Sequence, residues 1–294
     1  LQGDWSSDVC SSDLLMSFYQ TPLSNIISRW TRFITQIEFP SLIAYILLKG
    51  FIKTFKIKEK EANKPLQSYR SFNQFFTREL NPKLRPIDSN TQHIISPVDG
   101  TLTVSETIQS AHILQAKNVS YSLSSLLGKK DITPFIGGHH MTIYLSPKDC
   151  HRIFTPYDGN ITYCTHIPGY LFPVRPPYTT SKKGLFTLNE RIITYLQTKY
   201  GTIAIVKVGA FNVGTISTTF DKNMLSNIAY KKKIDFTYPT PISIKKGDHL
   251  ATFHLGSTVI LLFEKNMIQN IPPLIKKQPV TYGKTLCLIK KYRE

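Results

Sequence analysis

From about residue 93 onward, short β-prone segments alternate with glycine and proline turns, and this alternation constrains the fold more than any other feature of the sequence. The pattern predicts a strand-dominated body, and we expect its strands to pair mainly antiparallel. One helix is predicted near Ser122–Leu127. The predicted strands are Thr101–Val104, Met141–Leu145, Ile161–Thr165, Thr202–Val208, Thr215–Thr218, Ile242–Ile244, Leu250–Phe253 and Thr258–Phe263.

Residues 17–60 have a different pattern, because their apolar side chains recur at helical spacing. After Pro40, an apolar stretch at residues 42–52 is flanked by lysines. This stretch is shorter than the roughly 20 apolar residues that a bilayer-spanning helix needs. It fits a helix that lies in a membrane interface, and it fits equally well a helix that packs on the protein's own core. The sequence alone leaves both interpretations open.

The first fourteen residues follow neither pattern, and residues 4–14 resemble the translation of a sequencing-adapter oligonucleotide. We therefore interpret residues 1–14 as non-native and expect the native sequence to begin near Leu15 or Met16. Residues 15–65 are predicted to form an amphipathic helical region that associates with membranes, and residues 66–294 a catalytic domain. The predicted fold class is α+β, with a helical N-terminal arm followed by a strand-rich, mainly antiparallel body.

The chain is strongly basic, with 36 Lys and Arg against 19 Asp and Glu, a formal net charge of +17. Residues 1–14 contain three Asp and no Lys or Arg, so the net charge without them is +20. Such a surface attracts polyanions, either nucleic acid or anionic lipid. The lysines are spread along the chain and no nucleic-acid-binding motif occurs, so we expect no nucleic-acid partner.

The cysteines and histidines do not form a metal-binding pattern. Cys150, Cys164 and Cys287 remain after residues 1–14 are set aside, and no C-x-x-C spacing occurs. This argues against a disulfide framework and against a zinc site, and a reducing compartment is the simpler expectation. His139 and His140 are adjacent in a predicted strand and would point to opposite faces, so they form a poor chelate. No metal site is predicted.

Few residues suggest chemistry when they are considered singly. A Gly256-Ser257 pair between two predicted strands is usually only a turn. His151 has a side chain whose ordinary pKa suits general acid or base catalysis, although most histidines are structural. Residues 189–191, Asn-Glu-Arg, would by themselves indicate a solvated turn with an ion pair.

The ordered set of motifs is more informative than any one of them. The chain resembles the phosphatidylserine decarboxylase family over roughly residues 17–290. The motifs that carry this resemblance are Phe75-Phe-Thr-Arg-Glu-Leu80, Arg85-Pro-Ile-Asp88, Ser96-Pro-Val-Asp-Gly100, Tyr144-Leu-Ser-Pro-Lys-Asp149, His151-Arg152, Pro168-Gly169, Leu171-Phe172, Leu188-Asn-Glu-Arg191, Val208-Gly-Ala210, Asn212-Val-Gly-Thr-Ile216, Phe253-His-Leu-Gly-Ser-Thr258 and Leu261-Leu-Phe263.

The resemblance implies an enzyme that cleaves itself between Gly256 and Ser257. Ser257 would become a pyruvoyl group, the covalent cofactor of the family, at the start of an α chain of residues 257–294. Residues up to Gly256 would form the β chain, giving a β/α heterodimer or a dimer of such heterodimers. The pyruvoyl ketone condenses with the amine of phosphatidylserine as a Schiff base and accepts the electrons left by CO2, so that phosphatidylethanolamine results.

The resemblance also implies roles for particular residues. Family members activate the serine through an Asp-His-Ser arrangement, to which Asp99 and Ser257 correspond. His151 corresponds to the family histidine associated with decarboxylation. The usual triad histidine is replaced by Phe154, which cannot accept a proton, so His254 or His151 is the candidate substitute base. The alternative is a processing-deficient family member that binds anionic lipid without turnover.

The resemblance gives the basic charge a natural partner. The expected partners are phosphatidylserine and an anionic phospholipid membrane, to which lysines at residues 49–60 would each contribute about 1 kcal/mol. The expected location is peripheral, on the cytoplasmic face of the bacterial inner membrane, with the mitochondrial inner membrane as the alternative.

Overall fold

A computed structural model describes residues 30, 31, 33–116, 119–129, 131–175, 178–211, 215–226, 232–254, 257–269, 271, 274 and 276–290. The interpretation of residues 1–14 as non-native and the predicted helical segment at residues 17–29 therefore lie outside the described residues, as do Leu255, Gly256 and the motif residues 212–214.

Most of the described chain forms strands, in agreement with the predicted α+β class. The helices are α1 (Ser41–Phe55), α2 (Phe72–Phe76), α3 (Leu123–Leu127), α4 (Tyr178–Ser181) and α5 (Leu185–Leu188), and residues 30–31 and 33–36 are also helical. The strands are β1 (His93–Ile95), β2 (Gly100–Thr107), β3 (His112–Ala116), β4 (Val119–Ser122), β5 (His139–Leu145), β6 (Arg152–Phe154), β7 (Gly159–Ile167), β8 (Arg191–Thr198), β9 (Gly201–Val208), β10 (Ile216–Thr218), β11 (Ile234–Ile244), β12 (His249–Phe253), β13 (Ser257–Phe263), β14 (Gln278–Val280) and β15 (Thr285–Leu288).

The central element is an eight-stranded sheet in the order β11-β7-β8-β9-β13-β5-β2-β14. All of its neighbouring strands pair antiparallel, which confirms the predicted mode of pairing. A three-stranded sheet, β10-β12-β6, and two strand pairs, β1-β15 and β3-β4, complete the strand pairing of the described residues. Strand β13 lies inside the large sheet, and all seven of its residues are buried.

The two faces of the large sheet have separate cores. On β13, Val259 and Leu261 belong to the core shared with the three-stranded sheet, which contributes Phe253 among others. Ile260 and Leu262 face the other core, where helices α3 and α5 pack. Because side chains alternate along a strand, Ser257 shares the face of Val259, and Thr258 shares the face of Ile260.

Helix α1 has apolar side chains on more than one side. Ala44 and Leu48 are buried, and Leu48 belongs to a small core with Tyr69 and Phe75. Other apolar side chains of the same helix, among them Leu42 and Ile46, are exposed. The helix therefore packs on the protein and still presents an apolar surface. Among the described residues, no helix is both long enough and apolar enough to cross a bilayer.

The interpretation of residues 189–191 as a solvated turn is wrong. Asn189, Glu190 and Arg191 are all at least 94% buried, because they lead into β8 within the large sheet. The Asn189 amide nitrogen donates to the carbonyl groups of Phe172 and Gly209, both at 2.8 Å. These three side chains therefore hold the loops at one end of the sheet in place.

Candidate active site

Ser257 is the first residue of β13 and is completely buried. Its hydroxyl oxygen has no hydrogen-bond partner among the described residues. A buried hydroxyl without a partner costs free energy, on the order of 1–3 kcal/mol. Such a cost is typical of a group that is kept for chemistry rather than for stability. The preceding residue of the expected scissile bond, Gly256, lies outside the described residues.

Asp99 lies at the same end of the large sheet as Ser257. Ser257 pairs with Leu145 of β5, and Tyr144 pairs on its other side with Thr101 of β2. Asp99 immediately precedes β2, so β5 alone separates the two residues. Two strand spacings amount to about 10 Å between backbones. A side chain placed between Asp99 and Ser257 could therefore contact both.

The carboxylate of Asp99 is buried and already engaged. One of its oxygens, Oδ1, accepts from the backbone N–H of Tyr282 at 2.9 Å. The other, Oδ2, lies 3.3 Å from the guanidinium of Arg85, which also binds Glu61 at 2.7 Å. Burial raises the pKa of Asp99 above its ordinary value, and the Tyr282 N–H and Arg85 act against this rise. Neither Arg85 nor Tyr282 was predicted to belong to the site, although Arg85 begins the motif Arg85-Pro-Ile-Asp88.

Phe154 occupies the neighbourhood of Asp99. Its ring stacks on Tyr282 with centroids 4.1 Å apart, and the same Tyr282 supplies the backbone donor to Asp99. The two rings pack with Leu80 and Cys150 in a small apolar cluster. The resemblance places the triad histidine at position 154, and the phenyl ring there offers no proton acceptor.

His151 carries a ring nitrogen that is available for proton transfer. Its Nδ1 donates to the carbonyl of Asp149 at 2.9 Å, and its Nε2 has no partner among the described residues. The ring is completely buried and lies 4.0 Å from the ring centroid of Phe76. Burial, together with the nearby charge of Arg78, lowers the pKa of His151 to about 3. The imidazole is therefore neutral, with a lone pair on Nε2 that no described residue engages.

His254, the other candidate base, has both ring nitrogens engaged. Its Nδ1 lies 3.2 Å from the amide oxygen of Asn73, and its Nε2 lies 2.9 Å from the hydroxyl oxygen of Ser217. Because the amide oxygen only accepts, Nδ1 donates and Nε2 accepts the Ser217 proton. The lone pair of His254 is therefore committed to Ser217 rather than to Ser257.

A cavity of about 480 Å³ adjoins the start of β13 on the face opposite to Ser257. Thr258, Thr142 and Gln115 line it, and each has a buried oxygen without a partner among the described residues. Phe186 and Val174 contribute apolar surface. Three buried acceptors or hydroxyls beside apolar walls suit a small ligand with polar groups. The sequence offered no signal for this cavity, because its residues come from distant segments.

The chain is similar to known proteins of one family. The sequence profile of the family described as "Phosphatidylserine decarboxylase" matches residues 72–288. A "Phosphatidylserine decarboxylase proenzyme" of Myxococcus xanthus (strain DK1622) is 36% identical over 277 residues, which cover 94% of this chain and 97% of the relative. Proteins described by the same name are 36% identical in Anaeromyxobacter sp. (strain K), over 89% of this chain and 93% of the relative, and 42% identical in Pseudoalteromonas translucida (strain TAC 125), over 73% and 77%.

The fold, the serine at the head of β13 and these similarities define an enzyme of the decarboxylase class. The chain belongs to the phosphatidylserine decarboxylase family.

Proposed function

We propose that this chain cleaves itself between Gly256 and Ser257 and then decarboxylates phosphatidylserine to phosphatidylethanolamine and CO2. The observation that carries the proposal is the hydroxyl of Ser257, which is buried, unpartnered among the described residues and placed at the first residue of a central strand. The names of the relatives, which are proenzymes, support the self-cleavage part of the proposal.

The self-cleavage step uses only the chain and one water molecule. The Ser257 oxygen attacks the carbonyl carbon of Gly256, the amide C–N bond breaks, and an ester forms while the nitrogen gains a proton. Loss of the Ser257 Cα proton then expels the carboxylate of Gly256 and leaves a dehydroalanine. Its imine tautomer is hydrolysed by water, which releases ammonia and leaves the pyruvoyl group.

We assign the base of this reaction to His151 rather than to His254. The neutral His151 ring has an uncommitted Nε2, whereas the lone pair of His254 accepts from Ser217. The donation from Nδ1 to the Asp149 carbonyl holds the His151 tautomer with its lone pair on Nε2. Asp99 lies near position 154, and in the arrangement that the resemblance implies it would orient a histidine at that position.

Ser257 fits the family cofactor because its hydroxyl is buried and has no hydrogen-bond partner among the described residues. When present, the pyruvoyl group supplies the electron sink that decarboxylation of an amino acid requires. His151, after it takes up a proton, would return that proton to the carbon that has lost CO2.

We further propose that α1 and the residues before it dock on an anionic bilayer. The apolar side chains there are exposed by 47–70%. They are Trp30, Phe33, Ile34, Ile37, Leu42, Ile43, Ile46 and Leu47. Exposed lysines follow at positions 53, 56, 58 and 60. Apolar side chains beside basic ones suit the interface of a negatively charged membrane.

The decisive assay for the function measures conversion of phosphatidylserine to phosphatidylethanolamine in mixed vesicles by the purified chain. We expect CO2 release that hydroxylamine abolishes, because hydroxylamine traps a ketone, and none from a Ser257→Ala chain. Activity that survives hydroxylamine would contradict the pyruvoyl mechanism. Absence of turnover from a chain that has been cleaved would contradict the proposed substrate.

One observation favours a second candidate function. Phe154 removes the proton acceptor beside Asp99, and a chain that is therefore never cleaved would bind anionic lipid without turnover. This candidate predicts vesicle binding by an intact chain and no CO2 release.

A further inference from the structure

A second pocket, of about 260 Å³, lies between the C-terminal end of α1 and the turn that carries Asp99. It is separate from the cavity beside Thr258, and the two have only Thr101 in common. Its lining is mostly charged. The charged residues that line it are Lys56, Lys58, Glu61, Arg78, Arg85, Asp99, Lys148 and Asp149.

Arg78 is the buried cation of this pocket. The residue is 4% exposed, and no carboxylate oxygen of a described residue lies within 4 Å of its guanidinium. Its terminal nitrogens donate to the carbonyls of Phe75 at 3.3 Å and Lys148 at 3.1 Å. Its Nε is buried and has no partner among the described residues. A buried charge that lacks a counter-ion is costly, so an anion would stabilise it.

The acidic residues of the pocket are already engaged. Glu61 lies 2.7 Å from Arg85 and 3.6 Å from Lys58, and Asp99 binds Arg85 and the Tyr282 N–H. Asp149 accepts from the backbone N–H and the hydroxyl of Ser146, at 2.7 and 2.6 Å. None of the three lies within ion-pair distance of Arg78.

Two further lysines line the outer edge of the pocket, which we call its rim. Lys56 and Lys148 are exposed and form no ion pair with a described residue. With Arg78 they give the pocket an excess of positive charge and donors that come from different directions. A phosphate group accepts hydrogen bonds from several donors at once, which a single carboxylate does less well.

We propose that this pocket binds a phosphate group, with Arg78 at its base and Lys56 and Lys148 at its rim. The phosphate could be supplied by a phospholipid headgroup or by free phosphate. Phe55, the last residue of α1, directly precedes Lys56 and is 40% exposed, and this apolar side chain favours the lipid source. This inference goes beyond the proposed function, because it concerns neither Ser257 nor the cavity beside Thr258.

The test compares two charge-matched double variants in the full chain. Lys56→Gln with Lys148→Gln removes the rim. Lys53→Gln with Lys183→Gln is the control, because it likewise removes one lysine of the α1 surface and one exposed lysine elsewhere, and neither lines the pocket. Arg78 is left in place because its replacement could prevent folding. Thermal unfolding is followed as inorganic phosphate replaces chloride at constant ionic strength. We expect phosphate to raise Tm of the parent and control chains, and the rim variant to need about ten-fold more phosphate.

Vesicles of phosphatidylcholine with and without phosphatidylglycerol identify the source of the phosphate. If lipid phosphate occupies the pocket, the rim variant sediments less with phosphatidylglycerol vesicles than the control variant does. If only free phosphate binds, the two variants sediment equally, and the phosphate-dependent shift in Tm still differs between them. Either result supports the proposal that the pocket binds a phosphate group.

The proposal is overturned if phosphate and chloride give the same Tm, or if the rim and control variants respond alike in both assays. Repeating the measurements in a Ser257→Ala background separates this proposal from the proposed function, because that chain neither processes itself nor turns over lipid.

Discussion

The side chain at position 154 bears on which histidine we propose as the base for Ser257. The resemblance implies a histidine at this position, and here a phenyl ring stacks on Tyr282, whose backbone N–H donates to Asp99. Asp99 is left with Arg85 as its charged partner. We therefore propose that His151, which the resemblance associates with decarboxylation, also takes the proton of Ser257.

Replacing Phe154 by histidine should accelerate self-cleavage. The new imidazole would lie beside Asp99 and could take the Ser257 proton, and general-base catalysis contributes about 10²–10⁴ in rate. We expect at least a ten-fold increase, measured by the appearance of the α chain on denaturing gels after cell-free synthesis. Phe154→Leu is the matched control, since it changes the ring without adding a base. Equal rates for the two variants would show that position 154 does not supply the base.

The two candidate histidines should differ in their effect on cleavage. His151→Gln removes the uncommitted Nε2 and should slow cleavage by about 100-fold or more. His254→Gln should change the rate by less than about three-fold, because its lone pair already accepts from Ser217. Circular dichroism of both chains controls for folding. The reverse order of effects would move the assignment to His254.

Asp99, His151 and Ser257 could be predicted as site residues only through the family resemblance, because the local sequence around each one is a weak signal when it is considered alone. It could not show which ring nitrogen of each histidine is free, because that depends on partners distant in sequence, such as Asn73 and Ser217 for His254. Residue polarity was also misleading at residues 189–191, which were expected in a solvated turn. Their polar side chains are buried, and that of Asn189 holds backbone loops through hydrogen bonds.

Helix α1 combines packing and exposure within one element. Leu48 is 2% exposed, while Leu42 and Ile46 are 70% and 60% exposed. The exposed side is the surface that we propose to enter the membrane interface.

Leu42→Gln with Ile46→Gln should weaken binding to anionic vesicles by at least about ten-fold. Burial of each large apolar side chain is worth roughly 1.5–3 kcal/mol, and only part of that is gained in an interface. Leu84→Gln is the control, since Leu84 is 49% exposed and lies outside α1. Vesicle sedimentation provides the measurement. Unchanged sedimentation of the double variant would remove α1 from the membrane contact.

Among the strands, turn chemistry and apolar alternation gave the correct answer where both signals were present. All eight predicted strands are confirmed, and so is the helix near Ser122, whose hydroxyl caps it by accepting from Ser125 N–H at 3.3 Å. Strand β8 was missed because its apolar residues do not alternate, as expected for a strand buried on both faces. The short strands β1, β14 and β15 depend on distant pairing partners and have no local signal.

The molecule as a whole holds several histidines neutral. Burial lowers the pKa of His140 and His139 to about 4, that of His249 to about 4 and that of His151 to about 3. In the unfolded chain these groups would titrate near 6.5. Between these values the unfolded state binds more protons than the folded state does.

Stability should therefore be fully present above pH 6.5 and fall as the pH drops toward 4. Each fully buried histidine contributes a slope of up to about 1.4 kcal/mol per pH unit. We expect the free energy of unfolding, measured by urea titration at pH 7, 6 and 5, to decline by several kcal/mol. His140→Leu should reduce the slope by about one such contribution. A free energy that does not change over this range would show that the histidines are accessible to protons.

The central claim is that the chain cuts itself at Ser257, and the mass of the purified protein tests it most directly. Intact-mass spectrometry should show two fragments, one that ends at Gly256 and one that spans 257–294. The second fragment should be lighter than an unmodified serine peptide by one ammonia molecule and should resist N-terminal sequencing. A Ser257→Ala chain should remain whole. A single unbroken chain from the unmodified sequence would contradict the account.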